Sequence, residues 1–109
     1  MPDPAEHLLF GYLVKDFLTT AAEVERSRSQ LISFAKREGF RLEVIFVEEA
    51  SPAPAAFAAM LARSKLDQVN AVVVLSEDVL AARTPSGLTR RQQLEQETTA
   101  RVLVVKSPP

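Results

Sequence analysis

Cysteine is absent from this chain, which excludes disulfides and thiolate chemistry. Histidine occurs once, at His7 near the amino terminus, so a histidine-rich metal site is excluded as well. With only three glycines there is neither a Gly-rich phosphate loop nor a Gly-x-Ser-x-Gly elbow. No apolar stretch approaches the ~20 residues that span a bilayer. Residues 1–6 place no basic region before an apolar run, so they do not read as a secretory signal. An excess of one charge is missing too: 13 Lys and Arg stand against 14 Asp and Glu, a net charge of −1. A free-standing DNA-binding module carries a basic face, and phosphate neutralisation supplies most non-specific affinity. Weak or no DNA binding is therefore expected of the chain alone, along with a cytoplasmic location, no membrane contact and no cofactor.

What is present is a chain of 109 residues, 47% of them hydrophobic, enough for one core and no more. The expected organisation is a flexible amino terminus (1–7), a single domain (8–106) and a short tail (107–109). Residues 7–14 form an apolar run without strict alternation, as in a strand covered on both faces. Thr20-x-x-Glu23 has the form of a capping box. It predicts a helix over 21–38, with Val24, Leu31, Phe34 and Ala35 at helical spacing and Gly39 as its C-cap. Residues 42–47 make a second strand. The Ser51-Pro52-Ala53-Pro54 segment breaks the chain, with Pro54 suited to the first turn of the next helix. That helix, 55–65, buries Phe57, Met60 and Leu61. A third strand follows at 71–75, a helical turn at 79–83, a loop at 84–87, a helix at 88–98 and a fourth strand at 102–105. Strands alternating with helices predict an α/β fold: a doubly wound, four-stranded parallel sheet in the order 2-1-3-4, with helices on both faces.

The first strand ends in Gly11-Tyr12-Leu13-Val14-Lys15-Asp16. This segment resembles the opening signature of the serine recombinases of the resolvase/invertase type, Gly-Tyr-x-Arg-Val-Ser, in which Ser attacks DNA phosphate and Arg stabilises the developing charge. The resemblance to that family's amino-terminal catalytic domain extends from about Leu9 to Val105. Leu31 to Gly39 is similar to the end of its first helix, and Ile45-Phe46-Val47-Glu48-Glu49 to a strand closing on an acid. Ser51 and Phe57-x-x-Met60-Leu61 match the ends of a Ser-Gly…Arg-Pro block, with Pro54 or Ala55 in place of the Arg. Asp78-Val79-Leu80-Ala81-Ala82 is similar to Asp-Arg-Leu-x-Arg.

The departures fall on the chemistry. Val14, Asp16, Val79 and Ala82 stand where the family has Arg, Ser, Arg and Arg. Arg83 lies one step beyond the last, turned by ~100° on a helix. Transesterification at a phosphodiester needs a phosphoester-forming nucleophile and cations around the transition state. Removing one such stabilising donor typically costs ~10²–10³ in rate, so loss of the nucleophile and four motif arginines predicts no strand exchange. Four residues follow Val105, so the family's long dimerising helix and helix-turn-helix are expected to be missing. The resemblance thus implies a catalytically inactive recombinase-like domain, an interaction or regulatory module. A homodimer is expected, because a small sheet leaves a helix face to cover and recombinases act as oligomers.

Other uses of the same residues remain open. Asp16, Glu48, Glu49, Glu77 and Asp78 fall at carboxyl ends of strands, where ligands sit in open α/β sheets. Asp16, Glu48 and Asp78 could hold Mg²⁺, making a phosphate-ester enzyme or a receiver-like domain built on Asp16 and Asp78. Against this, strand-end loops are polar simply because they meet water. A DNA-associated regulator that does not cleave is a further possibility. Arg83, Arg90, Arg91 and Arg101 read either as a basic strip or as a solvated face paired with Glu95 and Glu97. Phe17 and Leu18 read as a hydrophobic staple onto the following helix or as an exposed patch. Tyr12 is expected to be packed within the fold.

Overall fold

The computed structural model describes residues 7–16, 18–49, 55–84 and 86–105. The expectations for residues 1–6, Phe17, the 51–54 breaker with its Pro54 start and the 107–109 tail lie outside the described residues. Four strands, β1 (Leu8–Lys15), β2 (Arg41–Glu49), β3 (Ala71–Val74) and β4 (Arg101–Val104), form one parallel sheet in the order β2-β1-β3-β4. The chain therefore has the expected α/β fold and 2-1-3-4 order. Central β3, Ala-Val-Val-Val, is buried at every position, as a strand covered on both faces must be.

Three helices, α1 (Ala21–Glu38), α2 (Ala55–Asp67) and α3 (Arg90–Glu97), connect the strands. The strand order reverses at β1, so right-handed crossovers send α1 to one face and α2 and α3 to the other. Accordingly Leu31, Phe34 and Ala35 of α1 pack on Leu9, Leu13 and Val73. On the opposite face Phe57, Met60 and Leu61 of α2 and Leu94 of α3 pack on Phe10, Tyr12 and Val72.

The caps follow the residues that the chain supplies. Thr20 accepts from the Glu23 amide while the Glu23 carboxylate accepts from the Thr20 amide, and Gly39 closes α1 at φ 76°. Thr89 and Gln92 form the same reciprocal box on α3, which starts two residues later than its apolar pattern suggests. The helical turn expected at 79–83 lies earlier, as a 3-10 turn over Glu77–Leu80. Arg83 instead bridges to Thr89 across the intervening loop. β2 is longer than its apolar run: Arg41, Glu48 and Glu49 all pair with β1, and a bulge after Leu9 absorbs one residue.

Gly11 has a packing role. A Cβ built there would lie 2.9 Å from Leu31 Cδ1 and 3.2 Å from Ile45 Cγ1, so α1 approaches β1 closely only because this side chain is missing.

Candidate functional site

The carboxyl ends of β1 and β3 flank the point where strand order reverses, the usual ligand crevice of such sheets. There the structure places Val14, 43% exposed, and half-buried Val79. Together with Leu13, Thr19, Val47 and Leu75 they line a cavity of about 70 Å³. Small-molecule sites are typically ~300–1,000 Å³, and a water occupies ~30 Å³ of liquid, so this space suits a few waters at most. Its lining is mainly aliphatic. The cation on its rim, Lys15, makes an ion pair of 3.1 Å with Glu49.

Asp16 lies on the loop just beyond β1 and is exposed. Its Oδ1 accepts from the Leu18 amide at 2.8 Å and from the Thr19 hydroxyl at 3.2 Å. The Asp16 amide in turn donates to Thr19 Oγ1 at 3.1 Å. This is an Asx-type turn, the local bonding for which Asp is favoured in loops, and it hands the chain from β1 to the N-cap of α1. Leu18 is 74% exposed, so it does not staple onto α1. Its partner in that expectation, Phe17, lies outside the described residues.

The remaining acids go different ways. Glu77 faces Arg91 at 3.4 Å. Asp78 and Ala82 are exposed, Asp78 on the 3-10 turn and Ala82 beyond it. Glu48, only 3% exposed, turns inward on the α2 side of the sheet. Its Oε1 accepts from the Tyr12 hydroxyl (2.9 Å) and the Phe57 amide (2.8 Å), and its Oε2 from the Ala56 amide (3.1 Å). Glu48 thus caps α2, satisfying two amides that helix geometry leaves open with a negative charge at the positive end of the helix. Among the described residues no group of three or more His, Asp or Glu side chains is placed to hold a metal ion.

The supposed arginine strip is also divided. Arg91 pairs with Glu77 and with Glu95 at 3.5 Å. The Arg83 guanidinium donates to the Gly87 carbonyl at 2.6 Å, and Arg101 is exposed at the start of β4. Arg90 turns inward. Its Nη1 donates to the Tyr12 hydroxyl at 3.1 Å, its guanidinium lies 5.8 Å from the Phe57 ring centre, and its Nε is buried without an acceptor among the described residues.

Arg90, Tyr12 and Glu48 therefore form one buried chain from cation to phenol to carboxylate. Burial first, then the hydrogen bond to Glu48, raises the Tyr12 phenol above the ordinary tyrosine range, and the neighbouring Arg90 charge offsets this only in part. The phenol stays protonated, donating to Glu48 and accepting from Arg90. Chemically this chain is a clamp joining β1, β2, α2 and α3. Sequence reasoning missed it because the link depends on register. Tyr12 pairs with Phe46 across β1 and β2, which puts Glu48 two residues on, on the same face and within diagonal reach. One signal was available for Arg90: it precedes Leu94 by four residues, so the two share a helix face.

A depression of about 570 Å³ lies at the other end of the sheet between Gln68 and Thr99, and the Lys65–Glu97 ion pair (2.8 Å) lies at its wall. Comparison with known proteins gives no significant match to any family model, curated protein or solved structure.

Proposed function

We propose that this chain is a catalytically inactive serine-recombinase-like domain that acts as a protein-interaction or regulatory module. The observation that carries the reading is the state of the sheet's carboxyl edge. Where strand cleavage needs a hydroxyl and arginines, the chain has Asp16, Val14, Val79 and Ala82. The Asp16 carboxylate accepts hydrogen bonds within its own turn, Lys15 is paired with Glu49, and Arg83 binds a loop carbonyl. A phosphodiester entering this edge would meet aliphatic groups and a carboxylate. Electrostatic stabilisation of the transition state, usually the largest contribution to catalysis, would be missing.

Self-association belongs to the same proposal. Val14 and Leu18 are large apolar side chains exposed near the end of β1, and a two-fold contact sets such a patch against its own copy.

Incubation with supercoiled plasmid tests the reading. The expected result is intact plasmid and no protein–nucleotide adduct on denaturing gels. A covalent adduct that disappears in Asp16→Ala would overturn it.

A further inference from the structure

The two faces of the sheet are not equally covered. A helix with its side chains is ~10–12 Å across and strands are ~4.8 Å apart, so one helix covers about two strands and a four-stranded sheet needs two on each face. One face has α2 and α3. Among the described residues the other has α1 alone, which packs on β1 and β2. Ala71 and Val73 of β3 are still buried there, but Leu75, Leu103 and Val105 are only half covered.

The result is a groove between α1 and the edge strand β4. One hollow of about 280 Å³ lies between the α1 flank and Val105, and a second of about 350 Å³ lies by Leu103 and the amino ends of β3 and β4. Its floor includes Leu103 and Val105. The α1 wall carries Arg26, Gln30, Ser33 and Arg37, spaced so that they fall on one flank of the helix. Arg101 stands at the β4 end. No Asp or Glu lines either hollow among the described residues. Arg26 and Arg101 have no carboxylate within ion-pair distance among those residues. Arg37 leans over Phe34 and pairs with the exposed Glu38 at 3.6 Å.

A chain of net charge −1 thus gathers Arg26, Arg37 and Arg101 around an apolar floor where, among the described residues, the sheet has room for one more helix. We propose that this groove docks an acidic amphipathic helix of another protein. Apolar residues at i, i+3, i+4 and i+7 would meet Leu103 and Val105, and flanking carboxylates would meet Arg26, Arg37 and Arg101. This mode of recognition lays an apolar helix stripe into a groove, with the charges setting orientation and encounter rate. The proposal rests on the interaction-module reading only in taking the sheet as a binding scaffold. The plasmid assay tests that reading separately.

The test uses the full chain and two synthetic helical peptides. One has leucine at i, i+3, i+4 and i+7 flanked by glutamate, and its twin has lysine in place of each glutamate. Methyl NMR spectra follow Leu103 and Val105. The expected result is saturable shifts at these methyls with the glutamate peptide and none with the lysine twin. The doubly substituted R26E/R101E protein should bind about tenfold more weakly, while K36E, which changes charge on another flank of α1, should leave binding unchanged. All three positions are exposed, so the fold is retained. Absence of shifts, equal binding of the lysine twin, or equal weakening by K36E would overturn the proposal. Shifts at the same methyls on concentrating the protein alone would overturn it as well, assigning the groove to a second copy.

Discussion

Tyr12 is the residue on which the interior of this fold turns. Its hydroxyl lies between the Arg90 guanidinium and the Glu48 carboxylate, so it transmits one charge to the other without ionising. Tyr12→Phe keeps the ring's packing on Phe57 but leaves Arg90 without this acceptor and Glu48 without one donor. An unsatisfied buried polar group costs about 1–3 kcal/mol, and urea unfolding should show a loss of that size. The raised phenol value also fixes a pH dependence. Below the unfolded phenol's value of about 10, both states hold the proton and the full stability is present. Above it the unfolded chain releases the proton while the folded chain keeps it, so stability falls as pH rises. This is the only tyrosine in the chain. Phenolate absorbance should therefore appear together with alkaline unfolding, and Tyr12→Phe should lack that part of the pH dependence. Ordinary titration of the phenol in the folded protein near pH 10 would contradict the clamp.

Among the elements, α1 and β1 show how local rules and close packing combine. The Thr20–Glu23 box and the Gly39 cap bound α1 where the residues alone suggest. Gly11 explains why the helix can lie so near the strand. Gly11→Ala should destabilise the protein by about 1–3 kcal/mol through overpacking against Leu31 and Ile45. Thermal unfolding would check this, and an unchanged midpoint would mean that α1 shifts away freely. The order of strands and helices was legible because apolar runs, caps and breakers are local signals, and β3 is apolar at all four positions. The polar centre was not legible. Glu48 follows an apolar run and reads as a solvent-facing or metal-seeking acid, yet the pairing of β1 with β2 carries it inward to cap α2. Arg90 looked solvated because α3 is mostly polar. Asp16 lay where a site residue belongs, but the turn that engages its Oδ1 depends on Thr19, three residues away.

At the scale of the whole molecule, the sheet is well knit inside and unevenly finished outside. The clamp ties α2 and α3 to the β1–β2 side of one face, while among the described residues the other face has no helix over β4. No helix among the described residues is long and apolar enough to cross a membrane. The proposed contact between copies would use Val14 and Leu18, which are exposed near the end of β1. Sedimentation velocity should show a concentration-dependent dimer that the double substitution Val14→Ser and Leu18→Ser weakens. A dimer unaffected by that change would place the contact elsewhere.

The proposed inactivity requires that the carboxyl edge of this sheet take up no phosphate. Backbone NMR during titration with inorganic phosphate, with and without Mg²⁺, tests it most directly. The amides of Val14, Asp16, Asp78 and Val79 should stay where they are. Saturable movement of these amides together would contradict it.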